Sequence, residues 1–202
     1  GEDGVALVVT VKDDVPTIAE DYEAAANELN EANLYDGTDA SAVQPLTATG
    51  NLKTEAGIEW GADGGSLTSL SWGSGETAET AAIDPGAGLT LYFGTDGKFS
   101  TVDLGVATSG TLFITSSGAY TFTLIENILL SGDGAQSDDL SALNGGLYAH
   151  GVDGDGDPVN GEDGVALVVT VKDDVPTIAE DYEAAANELN EANLYDGTDA
   201  SA

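Results

Sequence analysis

From residue 165 the chain reads Val-Ala-Leu-Val-Val-Thr-Val-Lys, with Val165, Leu167, Val169 and Val171 alternating against Ala166, Val168, Thr170 and Lys172. A period of two sends alternate side chains to opposite faces, so this stretch predicts a strand buried mainly on one side. The same letters at Val5–Val11 predict the same strand there. Thr111–Thr115 and Ala119–Leu124 flank Ser116-Ser117-Gly118, which predicts a hairpin closed by a short glycine-containing turn. Shorter strands are expected at Gly57–Trp60, Leu67–Trp72, Leu89–Phe93 and Leu147–Val152, between turns such as Gly61-Ala62-Asp63-Gly64-Gly65 and Gly94-Thr95-Asp96-Gly97. Many short strands with regular turn signals predict an all-β fold, a β-sandwich. One stretch has a different period. Ile18, Tyr22, Ala25 and Leu29 are spaced as on a helix within an Ala/Glu-rich run, which predicts a short helix near residues 20–30.

A second pattern lies at longer range. Residues 1–42 recur unchanged at 161–202, so the chain holds one period of 160 residues and the first 42 of the next. Identity over that length points to an array whose copies are kept uniform; an overlap cut from a longer tandem array gives the same pattern and presupposes the array. Spacers and multivalent arrays use identical tandem copies, whereas enzymes seldom need them. Asp13-Asp14-Val15-Pro16 follows the first strand-like run, and Pro16 stops further pairing. Residues 1–12 are therefore read as the last strand of a preceding repeat, 13–172 as a complete β-sandwich domain, and 173–202 as the opening of the next repeat.

Charge narrows the class of partner. There are 37 acidic residues against four lysines, a formal charge of −33, with no arginine, cysteine or methionine. Hydrophobic residues make up 41% of the chain, enough for a real core, so the acidity is not that of a disordered tail. Such a surface does not hold nucleic acid or an anionic membrane through phosphate contacts. Disulfides, thiolate zinc sites and cysteine nucleophiles are excluded, and no apolar run reaches the roughly 18–20 residues of a membrane span. The natural partner of a clustered acidic surface is a hard cation such as calcium.

The densest acids are Asp153-Gly154-Asp155-Gly156-Asp157. Alternate aspartates on a glycine-rich loop can turn several carboxylates towards one point, which suits an ion that takes six to eight oxygens in irregular geometry. The loop is not an EF-hand, because Pro158 stands where that loop needs Gly and Gly164 where it needs Glu. A solvated acidic turn is the plainer reading. Strand order sharpens the choice. If Leu147–Val152 and Val165–Val171 are the last two strands, loop 153–164 joins them at one pole and Lys172-Asp173-Asp174 ends at the other. Copies stacked in line then bring Asp13 and Asp14 beside Asp153, Asp155 and Asp157, and Asp173 and Asp174 play the same part at the next junction. Two like charges about 4 Å apart repel by roughly 4 kcal/mol at an effective dielectric near 20, so the junction is expected to be loose without calcium and stiff with it.

Gly61-Ala62-Asp63-Gly64, Gly118-Ala119-Tyr120-Thr121-Phe122-Thr123-Leu124, the Asp153–Asp157 run and Val169-Thr170-Val171-Lys172-Asp173-Asp174-Val175-Pro176 occur in this order. In that order and spacing they resemble the long tandem repeat of giant RTX adhesins exported by Gram-negative type I secretion, over nearly the whole period. The resemblance implies an Ig-like or cadherin-like β-sandwich extender domain that holds an adhesive tip away from the cell. It also implies calcium at the junctions between neighbouring repeats, and a secreted, cell-surface location. The Ala/Glu-rich segment 19–33 departs from the extended first strand of a simple sandwich, so no ligand role is carried over to Glu20, Asp21 or Glu31.

Other residues allow competing readings. A calcium-dependent, lectin-like carbohydrate-binding domain would use Trp60 or Trp72 to stack on sugars; as core aromatics they have no such role. An enzyme would need His150, the single histidine, or a carboxylate pair such as Glu59 with Asp63 or Asp138 with Asp139. A lone histidine beside a strand is ordinarily structural and so many acids form pairs by chance, so the chain is read as no enzyme. Asp63 and Asp96 are read either as further calcium ligands or as turn-formers.

Overall fold

The computed structural model describes residues 8–10, 12–24, 26–41, 43–129 and 138–174. Among them the strands are β1 (Ala26–Asn30), β2 (Leu46–Asn51), β3 (Gly65–Trp72), β4 (Glu79–Ala82), β5 (Leu89–Phe93) and β6 (Phe99–Ser100). They continue as β7 (Gly110–Ile114), β8 (Ala119–Leu124), β9 (Asp138–Asp139), β10 (Leu147–Asp153), β11 (Val165–Ala166) and β12 (Val168–Lys172). Two single-turn helices, α1 (Leu52–Glu55) and α2 (Leu140–Leu143), interrupt them. The protein is all-β, as its patterning predicts.

Three sheets form, in the orders β1-β12-β9, β11-β10-β3-β4 and β2-β8-β7-β5-β6. The five-stranded sheet is antiparallel throughout, and its centre is the expected hairpin, with β7 and β8 paired from Gly110↔Leu124 to Ile114↔Tyr120. Alternation decides which way each residue points. Leu112, Ile114, Phe122 and Leu124 are fully buried, whereas the intervening Thr111, Phe113, Thr121 and Thr123 are only half-buried. Residues from all three sheets share one core, among them Leu67, Leu70, Leu91, Phe93, Leu147 and Val169. Burying each such side chain contributes about 1.5–3 kcal/mol. Phe93 lies edge-on to Phe99 at 6.1 Å and tilted against Phe122 at 5.8 Å.

Residues 26–30 are a strand, not the helix expected near 20–30. Ala26–Asn30 pairs in parallel with β12, from Ala26↔Val168 to Asn30↔Lys172. Two effects outweigh the helical spacing. β12 is the middle strand of its sheet and buries Val169 and Val171, so the backbone on its β1 side needs a partner. Asn27 and Asn30 favour bonds outside a helix: Asn27 donates to the Val168 carbonyl, and Asn30 caps a 3₁₀ turn at Glu31–Asn33 by accepting from Ala32 N–H. The strand expected at Gly57–Trp60 shrinks to one bridge, Glu59 with Thr17.

Most of the strand expected over Val5–Val11, together with the repeat's opening beyond Asp174, lies outside the described residues. Val8, Val9 and Thr10 belong to no strand, and Val8 and Val9 are 82% and 74% exposed.

Tyr120 ties three elements together. Its hydroxyl lies 2.9 Å from Asn27 Oδ1 on β1 and 2.9–3.0 Å from the Glu55 carboxylate on α1. Burial, reinforced by Glu55, pushes its pKa up to about 12. Tyr120→Phe is expected to cost about 1 kcal/mol, read from urea midpoints, because the partners left behind are reached by water. A change within error would show that the hydroxyl carries none of the linkage.

Candidate metal centre

β10 ends at Asp153, whose buried carboxylate closes the following loop. Its Oδ1 accepts from Gly156 N–H at 3.0 Å and Asp157 N–H at 2.8 Å, and Asp153 N–H donates to the Asp157 carbonyl at 3.1 Å. Gly156 turns the chain at φ +107°, a conformation that side chains resist. Asp155 and Asp157 therefore stand on either side of the reversal.

The start of the domain is fastened beside them. Thr17 and Glu59 exchange two backbone hydrogen bonds of 3.0 Å. Asp14 Oδ2 accepts from Ala62 N–H at 3.2 Å, and Asp14 N–H donates to Asp13 Oδ1 at 3.1 Å. Gly61 makes this approach possible, because a Cβ there would lie 2.8 Å from the Asp14 carbonyl oxygen. The outcome is a triad: one carboxylate oxygen each from Asp13, Asp155 and Asp157, all within 4.8 Å of one another.

Oxygens on opposite sides of a calcium ion at about 2.3–2.6 Å are themselves about 4.6–5.2 Å apart. The triad thus fits inside one such coordination sphere as it stands, and it could hold a metal ion. Of the seven aspartates expected as ligands, it gathers three. Asp14 and Asp153 lie at the same pole but spend hydrogen-bonding capacity on fastening loops. Asp173 and Asp174 follow β12, which leaves the acidic loop by way of β11, and so stand at the opposite end.

Proton affinities record the crowding. Asp155 is pushed up to about 6 by its hydrogen bond to Asp153, then by burial and the charges of Asp13, Asp153 and Asp157. Asp157 is also raised, by burial and then by Asp13 and Asp153. Burial opposes ionisation of Asp153, but hydrogen bonds from Asp155 and from the N–H groups of Asp157, Gly156 and Asp155 together hold it below the usual range. A cation bound by Asp155 must displace a proton below about pH 6. Affinity is therefore expected to fall up to about tenfold per pH unit below that value, measured by calorimetric titration at pH 7, 6 and 5. A constant affinity across that range would remove Asp155 from the ligand set.

The far pole holds a second acidic group, in which the expected pair Asp173 and Asp174 is joined by Glu31, to which the sequence assigned no role. Glu31, in the 3₁₀ turn after β1, is only 4% exposed and accepts from Ile128 N–H at 2.5 Å. It lines a small cleft with Asp36, Asn127, Asp173 and Asp174. Asp174 accepts from Thr38 N–H at 2.9 Å and from Thr38 Oγ1 at 2.5 Å. The strand register explains its position: Glu31 follows Asn30, which pairs with Lys172, just before Asp173.

No family model matches this chain, and no curated protein does either.

Trp60 and Trp72 are 7% and 5% exposed, so both are core residues and neither offers a face to a sugar ring. His150 Nε2 lies 2.7 Å from Ser71 Oγ across β10 and β3, and among the described residues no carboxylate is hydrogen-bonded to the ring. Asp96 acts as a turn-former, accepting from Lys98 N–H at 3.1 Å.

Proposed function

We propose that the chain is a structural spacer, an Ig-like or cadherin-like extender repeat of a secreted, cell-surface bacterial adhesin, stiffened by calcium at the junctions between repeats. One observation carries the reading. Asp13 is brought to Asp155 and Asp157 across almost the whole domain, while the identical acidic pair Asp173-Asp174 leaves from the other end. One Asp-Asp motif per period therefore sits where a domain begins and where its predecessor ends. An ion held there draws the chain's entrance onto the acidic loop of the same domain, which restricts bending at the joint.

The chemistry of the triad suits calcium: hard carboxylate oxygens on loops, open to solvent and to added water ligands. The ion would supply charge neutralisation, and the protein residues supply position. Because ion binding is coupled to folding, low cytosolic calcium would leave the chain loose during export and high external calcium would order it. The burial of both tryptophans weighs against the lectin-like alternative.

The test is small-angle scattering on a chain of two or more full repeats, in calcium and then in chelator. The expected result is an extended rod in calcium, each domain adding on the order of 40 Å, and a bent, flexible profile in chelator. Superimposable profiles would overturn the calcium-stiffened spacer.

A further inference from the structure

Asparagine is followed by glycine twice in the chain, at Asn144-Gly145 and Asn160-Gly161, and the two pairs stand in opposite environments. Asn144 is 7% exposed and fully engaged. Its Oδ1 accepts from Phe99 N–H at 2.9 Å, and its Nδ2 donates to the carbonyls of Gly97 at 2.9 Å and Leu140 at 2.7 Å. Gly145 N–H donates to the Ala142 carbonyl at 2.9 Å, and a Cβ on Gly145 would lie 2.8 Å from the Gly73 backbone. Asn160 is exposed, in the turn that follows the acidic loop. Among the described residues its side chain makes one hydrogen bond, from Nδ2 to the Gly164 carbonyl at 2.6 Å, and Gly161 N–H makes none. A Cβ on Gly161 would meet nothing within 4 Å, so the space beside its nitrogen is open. Both residues take positive φ, +54° and +63°, and Asn160 is the one non-glycine residue to do so among those described. Asparagine tolerates that conformation better than most side chains, so the turn itself favours this pair.

We propose that Asn160 is a site of spontaneous deamidation in the folded protein, closing on the Gly161 nitrogen and ending as aspartate or isoaspartate, while Asn144 stays intact. Gly161 N gives up its proton to solvent base and attacks Asn160 Cγ. The new Cγ–N bond closes a succinimide, the Cγ–Nδ2 bond breaks, and Nδ2 leaves as ammonia with a proton returned from solvent. Water then opens the ring. Attack at Cγ breaks the new bond and gives aspartate; attack at the Asn160 main-chain carbonyl carbon breaks the original peptide bond and gives isoaspartate. The balance is one water consumed and one ammonia released, with no oxidant or reductant. Reaction at Asn160 requires release of one exposed hydrogen bond. At Asn144 it requires three buried ones to break and the packing around α2 to open. Either product replaces the donor to the Gly164 carbonyl with a carboxylate, and isoaspartate also adds one atom to the main chain. The turn between the acidic loop and β11 therefore loosens and gains negative charge with age, once in every 160-residue period of an array. This inference needs only the turn, and stands whether or not calcium binds.

The full chain is aged at mildly alkaline pH, folded in buffer and unfolded in guanidinium, with chelator throughout. Peptide mapping by mass spectrometry follows the amide-to-acid mass gain at each pair, which isomerisation of the many Asp-Gly pairs does not produce. In the folded chain Asn160 is expected to convert at least about tenfold faster than Asn144, and in guanidinium the two rates should come together. Asn160→Gln, which closes the larger ring far less readily, should abolish the mass gain at this turn and leave Asn144 as it was. Two results would sink the proposal: an Asn160 that stays intact in the folded chain after the unfolded control has converted, or a folded-state ratio below about tenfold.

Discussion

Adding calcium to the chelated protein is expected to raise its thermal unfolding midpoint by about 3–10 °C, and the double substitution Asp155→Asn, Asp157→Asn is expected to abolish the rise. The magnitude follows from linkage. Extracellular calcium sites have dissociation constants on the order of 0.1–1 mM, so about 10 mM calcium is roughly 10 to 100 times that value. The resulting stabilisation is about 1.4–2.7 kcal/mol, and a domain of this size gains about 2–4 °C per kcal/mol. Calorimetry with calcium, magnesium and chelator measures it. Magnesium should do less, because it demands octahedral geometry and gives up its waters reluctantly. The double variant keeps Asp153, whose carboxylate closes the loop, so the domain should remain folded while two of the three triad charges disappear. In chelator the variant should melt no lower than the parent, since it also removes the repulsion that raises Asp155 and Asp157. A calcium-induced rise that survives in the variant would place the ion elsewhere.

How much of this could be read from the letters depends on what decides each feature. Alternation between side chains is a property of the strand itself, so the β7–β8 hairpin and the strand through Val169 and Val171 are legible. The meeting of Asp13 with Asp155 and Asp157 is also legible, though far apart in sequence, because the repeat fixes where the chain enters and leaves. Two things resist reading, for one reason. Ala26–Asn30 becomes a strand because β12 needs a neighbour, and Glu31 becomes buried because that strand delivers it beside Asp173. Both depend on a parallel pairing between residues some 140 apart in the register Ala26↔Val168, and no local pattern encodes it. The division of labour among the aspartates at the triad is hidden for a related reason. Asp153 and Asp14 resemble Asp155 and Asp13 in sequence context, and only loop geometry turns the first two towards backbone N–H groups.

The buried glutamate makes the second large prediction. In chelator, Glu31→Gln is expected to stabilise the protein by about 1–2 kcal/mol at pH 8 and to have almost no effect at pH 4. Burial first, and then the charge and hydrogen bond of Asp173, push Glu31 from 4.5 up to about 7, against the opposing pull of the Ile128 and Asp174 N–H groups. The folded state therefore holds this proton more tightly than the unfolded chain does. The stabilisation that comes from protonation is fully present below the unfolded value of 4.5, declines as pH rises, and is lost once pH passes about 7. For a fully dehydrated group the displacement would correspond to about 3 kcal/mol. The cleft shared with Asp36 and Asp173 admits solvent, and screening there reduces it to the smaller figure. Glutamine keeps the acceptor for Ile128 N–H and removes the titration, so the difference between the two proteins isolates this one group from the other acids. Urea midpoints at pH 4, 5, 6, 7 and 8 should diverge between about pH 4.5 and 7 and run parallel above. Profiles parallel throughout would mean that Glu31 titrates as an ordinary exposed carboxylate. If they diverge as expected, the trailing end of each domain is least stable above about pH 7, where the next repeat or a cation beside Asp173 would have most to offset.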